Sequence, residues 1–557
     1  MPFQRIWARA RASNPRAPRH HRAGKRPPWA TPAAILGLGL VGLSLAACAA
    51  REPGKLAPVE GFAGLVAGDE PRAVVVGRDI LGNGGNAVDA AVGMYFTMAV
   101  TMPSRVSLGG GGVCVLFSGD QRKSEAIEFL ARAAPSGGMV PSGMRAMAAL
   151  HARHGALRWE KLLAPAESLA RLGHAVSRAF AQDLAAAAEY VTADPALKRL
   201  FTTRNGRLVN TGDKIVQLEL SAVLGGIRRQ GASYLYGGPF ARRLAEASSA
   251  VGMPLTAEDV RRNVPRVAEA LAVPISERYV AYFVPPPATA GVVAAQMWRM
   301  AADVGDYADL DAAGRRHVFA EAALRAFAER ARWMRPDGQS RVPPPELTSD
   351  ARIEGAMADF DPARHTPAAR FKPVPARISD AAYAAGFVIG DQWSNAIACS
   401  FTMNRLFGAA RVALGTGIIL AAPPRAQNDG STSLAAVVVG NTKTGDIRFA
   451  ASAGGGAVAA TSLAGVMLDA VARERPLAEA MAAPRVHHGG APDVLYYEAG
   501  LPADVLAGLR ARGHELRPSP GLGHVNAIYC PLGLKDAGAE CQTETDPRGY
   551  GLAQMAR

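Results

Sequence analysis

The 557-residue chain has only five cysteines, only 6% aromatic residues, and no acidic residue in its first 47 positions. So few cysteines rule out a disulfide-dense scaffold, which leaves a hydrophobic core as the source of stability. With 49% hydrophobic and 20% charged residues the composition is that of an ordinary soluble body. The formal charge of +14 suggests nucleic acid until it is located. Arg5, Arg9, Arg11, Arg16, Arg19, Arg22, Lys25 and Arg26 supply eight of the charges, leaving +6 for the remainder once they are taken from +14. That residue of charge is diffuse, and no basic run is interleaved with aromatics, so nucleic acid is not an expected partner. Beyond residue 47 no segment is apolar enough to span a membrane, and the rest of the chain has no internal repeat or low-complexity tract.

What is present begins with that basic stretch and the uncharged apolar run Thr31 to Ala47, the order of an export signal. Leu45-Ala46-Ala47-Cys48 resembles a bacterial lipobox, which implies lipidation of Cys48 as the mature N-terminus and attachment to a membrane through that lipid. Ala49 in place of an acidic residue favours the outer membrane, facing the periplasm. The expected organisation is a signal peptide over 1–47, a linker over 48–60, and a body from 61 onward. In an oxidising compartment Cys530 and Cys541, at the two ends of the C-terminal hairpin, are placed to pair as a disulfide. Cys114 and Cys399 lie in apolar strand-like runs and are expected to be small buried hydrophobes.

The body opens with a strand at Leu65-Val66-Ala67 and a helix near Ala73 to Leu81. Asn86 is placed to cap a second helix whose small residues allow tight packing on a sheet. Gly109 to Gly112 lead into the strand Val113 to Phe117, where a backbone without side chains implies forbidden torsions or a close approach. Residues 140–335 read as mainly helical, interrupted by a strand at Tyr279 to Val284, and a proline-rich connector follows over 336–375. Short β runs follow at 387–390, 396–404, 435–440 and 447–451, then a helix near 457–473 and a C-terminal hairpin. Strand-rich and helix-rich portions that must share sheets predict a layered α+β body.

Eight motifs run through this pattern: GGNAVDAA (84–91), GGGG (109–112), LYGGPFARRL (235–244), LTAEDV (255–260), PPPATAGVVAAQM (285–297), NAIACSFTMN (395–404), APRVHH (483–488) and DPRGYG (546–551). In order and spacing they resemble the γ-glutamyltransferase family from about Gly61 to Gly551. The resemblance implies the N-terminal-nucleophile hydrolase fold, a four-layer αββα sandwich, and no cofactor. In that family the precursor cuts itself before a threonine. The new N-terminal threonine attacks a γ-glutamyl carbonyl, with its own α-amino group as base and paired glycine N–H groups holding the oxyanion. The cut would divide this chain into a large-subunit-like portion (61–383) and a small-subunit-like portion (384–557).

Counted back without a gap from Asn404, the position of that threonine is Ala384, flanked by Tyr383 and Ala385. No catalytic set is therefore intact, and neither self-cleavage nor γ-glutamyl transfer is expected. By the same resemblance Thr402 supports the nucleophile, Asn404 contacts substrate, Ser431 and Thr432 stand at the carboxylate-binding serine pair, and Gly454 and Gly455 stand at the oxyanion glycines. Arg425 falls at or near an acidic site that would hold the substrate ammonium, inverting its charge. The early arginine is replaced by Leu130, with Arg132 two positions later and on the same strand face. Ser400 and Thr402 share one face while Cys399 takes the other, and no His or Lys adjoins Thr402 in sequence to activate it. His487 and His488 point apart on a strand, so no metal is expected. The sequence thus predicts an inactive family member whose residual pocket binds a small molecule or peptide, against a rival reading as a working hydrolase.

Overall fold

The computed structural model describes residues 59–305, 307–373, 384–423, 433–535 and 540–557, and residues from Leu56 onward form one compact unit. One sheet is built from β1 (Gly64–Gly68), β2 (Gly111–Ser118), β3 (Lys123–Glu128), β4 (Arg266–Ala268), β7 (Ala384–Asp391), β8 (Ala396–Thr402) and β13 (Leu552–Ala556). The other holds β5 (Leu271–Pro274), β6 (Tyr279–Phe283), β9 (Ala435–Asn441), β10 (Ile447–Gly454), β11 (His524–Tyr529) and β12 (Gln542–Thr545). Their orders are β13-β1-β7-β8-β2-β3-β4 and β12-β11-β10-β9-β6-β5. β7 lies between β1, from the start of the body, and its own hairpin partner β8, so one of its two edges depends on a contact remote in sequence.

The period-2 alternation of these strands divides the core into three apolar layers. Ala385, Phe387 and Ile389 of β7 pack toward α1 (Pro71–Gly82) and α2 (Ala87–Thr101). Ala384 and Val388 turn the other way, into an inter-sheet layer with Ala436, Val438 and Ile528. On the far side of the second sheet, Val437, Phe449 and Ala451 pack on helices carrying Met297, Phe327 and Leu463. The result is the expected four-layer αββα sandwich.

Local chemistry fixes several of these elements. Asn86 accepts from the Asp89 amide at 2.9 Å while Asp89 accepts from the Asn86 amide at 3.1 Å, a reciprocal cap on the fully buried α2. The four glycines at 109–112 have no positive φ, so close approach explains them. A Cβ on Gly111 would stand 2.2 Å from the carbonyl oxygen of Phe129.

Two expectations are corrected. Cys114 and Cys399 are buried, but as a disulfide: the register of β2 and β8 sets them directly opposite each other, within bonding reach. The connector before β7 is more structured than its prolines suggest, since it contains a helix at Asp350–Met357 and 3-10 turns at Pro344–Thr348 and Ala368–Arg370. The Cys530–Cys541 disulfide is present where expected, closing the hairpin of β11 and β12. The predicted helix near 457–473 is α-helical over Val458–Met467 and widens into a π-turn over Leu468–Ala472. Among the described residues no helix is long and apolar enough to cross a membrane.

Candidate functional site

Ala384 opens β7, faces the second sheet and is only 4% exposed. Its partner across the ladder is Thr402, the next strand's inward-facing hydroxyl. Thr402 Oγ1 accepts the backbone N–H of Asn404 at 2.9 Å. Asn404, at φ 64°, donates from Nδ2 to the carbonyl of Ala422 at 2.7 Å. Ser400 also faces inward, donating to Ala453 O at 3.4 Å, whereas Cys399 lies among the helix-side residues, as the alternation requires.

Gly454 and Gly455 end β10 and turn the chain into the following helix. Gly455 has φ 130°, a conformation that L side chains rarely adopt. A Cβ on Gly454 would meet the His524 ring at 2.6 Å and the Ala384 carbonyl oxygen at 3.2 Å. The expected oxyanion glycines therefore do adjoin Ala384.

The same space holds charged groups that no sequence signal marked. His524 is the register partner of Gly454, and its Nε2 lies 3.2 Å from Asp69 Oδ2. Asp69 also accepts the Gly386 amide at 2.7 Å and Asn526 Nδ2 at 3.0 Å. Burial pushes the Asp69 carboxyl up, but His524, Asn526 and Arg105 together outweigh it and hold it below the usual range. Arg105 clamps Asp183 with two hydrogen bonds, 2.8 and 2.7 Å, and Ser104 donates to the same carboxylate at 2.6 Å. From its third nitrogen Arg105 donates to the Ala384 carbonyl oxygen.

The predicted arginine behaves differently. Arg132 is half-exposed and paired with Glu128, while Leu130, at the position of the family's early arginine, packs against the inter-sheet layer. Arg105 is the described arginine that reaches Ala384, and nothing in its local sequence distinguishes it from a surface residue. Arg425, Ser431, Thr432 and Cys48 lie outside the described residues.

His487 and His488 do point apart: His487 Nδ1 meets Thr461 Oγ1 at 2.9 Å, and His488 Nε2 meets Asp493 Oδ1 at 3.1 Å. The fold adds His365, whose Nδ1 is 2.6 Å from Glu321 and whose Nε2 is 2.9 Å from Asp493. His365, His488 and Asp493 stand close enough to hold a metal ion, as do His317, Glu321 and His514. In the first group the Gly490 amide donates to His488 Nδ1, which places the ring proton on Nε2 and removes the lone pair a metal needs there. In the second, His317 Nδ1 is already engaged by His514 Nε2 at 2.8 Å. Both groups read as hydrogen-bonded clasps between the connector and the body. The APRVHH and DPRGYG motifs likewise meet in a clasp, where Arg485 and Arg548 share Asp546.

This architecture is that of the N-terminal-nucleophile hydrolases. It is similar to cephalosporin acylase from Bacillus halodurans, with a TM-score of 0.74 at 20% identity over 90% of this chain and 98% of that one. It is also similar to Helicobacter pylori γ-glutamyltranspeptidase, with a TM-score of 0.51 at 26% identity over 58% of this chain and 99% of that one. The family model for gamma-glutamyltranspeptidase matches residues 73–137, 135–423 and 429–556, and the chain belongs to that family. It is 27% identical to the glutathione hydrolase proenzyme of Escherichia coli (strain K12) over 525 residues, 85% of this chain and 89% of the relative. It is 28% identical to the acylase ACY 1 proenzyme of Pseudomonas sp. (strain SE83) over 536 residues, 87% of this chain and 93% of the relative.

Proposed function

We propose that this family member stays a single uncleaved chain, lacks γ-glutamyl transfer, and serves in the cell envelope as a lipid-anchored protein that binds a small molecule or peptide. The observation carrying this reading is Ala384 itself. At the first position of β7, in register with Thr402 and against Gly454, stands a side chain with no hydroxyl or thiol. An N-to-O acyl shift has no attacking atom there, and an acyl-enzyme has nowhere to form. Arg105, Asp69 and His524 fill the surrounding space, with Arg105 held on Asp183 and Asp69 on the Gly386 amide and Asn526, which supports a pocket no longer arranged for transfer. Lipidation of Cys48 and placement at the outer membrane rest on the sequence of the leader.

A second reading, hydrolysis of another amide, is favoured by one observation: the His524–Asp69 pair is an acid–base couple beside Ala384. Two measurements separate the readings. The purified chain is run on a denaturing gel and then assayed with a chromogenic γ-glutamyl anilide and with an acyl-amide panel. One band and no turnover is the expected result. Two bands parting near residue 384, or turnover abolished by His524→Ala, would overturn it.

A further inference from the structure

A cavity of about 630 Å³ lies on the helix side of the first sheet and shares no lining residue with the Ala384 site. Its volume is in the range of small-molecule sites. Val75, Val76, Leu169 and Leu552 give it an apolar lining, and Tyr550, partly exposed, stands at its edge. Arg72 and Arg178 supply the cationic groups.

Arginines elsewhere in this chain are commonly paired: Arg105 with Asp183, Arg228 with Glu167, Arg325 with Glu321, Arg485 with Asp546. Among the described residues, neither Arg72 nor Arg178 forms an ion pair. Arg72 donates only from Nε, to the Ala175 carbonyl oxygen at 3.4 Å, which holds the guanidinium at the cavity and leaves both Nη groups uncommitted. The one carboxylate in the lining, Glu70, is fully buried and engaged as the cap of α1, accepting the Ala73 amide at 2.8 Å. Burial also raises its carboxyl above the usual glutamate range, which weakens its opposition to an incoming anion. Two guanidinium groups against one committed carboxylate leave this cavity cationic, over an apolar lining.

We infer that this cavity is a binding site for a small anionic amphiphile, a carboxylate on an apolar body. The head would take the free Nη donors of Arg72 and Arg178 and the apolar part would lie along Val75, Val76 and Leu552. The inference does not depend on whether the Ala384 site is active.

Isothermal titration of the full chain with dodecanoate tests it, with dodecyltrimethylammonium as the charge-reversed probe. Saturable one-to-one binding of dodecanoate is expected, weakened at least tenfold in Arg72→Gln/Arg178→Gln and abolished in Val76→Trp, with no binding of the cation. Equal binding of both probes, or dodecanoate affinity unchanged in the arginine pair, overturns the site. Both arginines are exposed, so that double variant should fold, and its melting curve checks this even where Val76→Trp fails.

Discussion

Arg105 Nη1 lies 3.3 Å from the carbonyl oxygen of Ala384, and the rest of the same guanidinium is locked onto Asp183. The arginine thus ties the start of β7 to the helix Arg178–Ala186, joining the large-subunit-like and small-subunit-like portions of one chain. Arg105→Ala would leave the buried Asp183 carboxylate with only Ser104. A loss of about 3 kcal/mol is expected from uncoupling a buried pair, read as a lower denaturant midpoint with unchanged slope.

Restoring the absent hydroxyl tests the count that places Ala384. Thr402, Gly454 and Gly455 remain in position, so Ala384→Thr should generate two fragments that meet at residue 384 and accumulate with time. Mass spectrometry of the fragments reads the cut site. The unmodified chain should give none, and the same fragments from Ala385→Thr instead would move the position by one.

The two disulfides should differ in worth. Loop-closure entropy gives about 3 kcal/mol for Cys530–Cys541, separated by 11 residues, and roughly twice that for Cys114–Cys399, separated by 285. Cys114→Ala/Cys399→Ala should therefore lower the unfolding midpoint more than Cys530→Ala/Cys541→Ala. Equal losses would show that the denatured chain is not constrained as that account requires.

Acid should destabilise the body well above the range in which ordinary carboxylates titrate. Burial pushes both His487 and His514 down to about 3, so they stay neutral when folded, whereas in the unfolded chain they protonate near 6.5. Between those values the unfolded state binds more protons, and stability falls with pH by at most about 1.4 kcal/mol per unit for each imidazole. Glu321, lowered to about 2 by His365 and Arg325 against the effect of burial, adds to the loss as pH drops through 4.5 toward 2. His365 acts on the other side of this window: burial lowers its pKa, but Glu321 and Asp493 together raise it further, so its contribution is lost only as pH rises above 6.5 and is fully present below it. Melting temperatures should fall steadily from pH 6.5 to 4, and a flat profile would contradict the assignment.

His365 is also the clasp that holds the connector to the body. His365→Ala removes contacts to Glu321 and Asp493 at once, leaving them with Arg325 and His488. Limited proteolysis should then cut within residues 358–373 several times faster, while sites in the sheets stay protected.

The sequence alone determined the strands that frame Ala384, the helix packed behind them and the chemistry the chain lacks. Alternation along β7 and β8 sets which residues face the other sheet, Asn86 and Asp89 cap α2 through local bonds, and a missing threonine hydroxyl is a fact of composition at one position. These follow from contacts within a few residues, where spacing is informative. The tertiary structure decided what surrounds Ala384. His524 comes from a segment hundreds of residues beyond Asp69 and Arg105, and the three meet at Ala384 only because β7 is inserted between β1 and β8, with β11 facing it across the sandwich. The Cys114–Cys399 bond depends on the same pairing: each cysteine reads locally as a small apolar residue, and only the register of β2 with β8 brings the two sulfurs together.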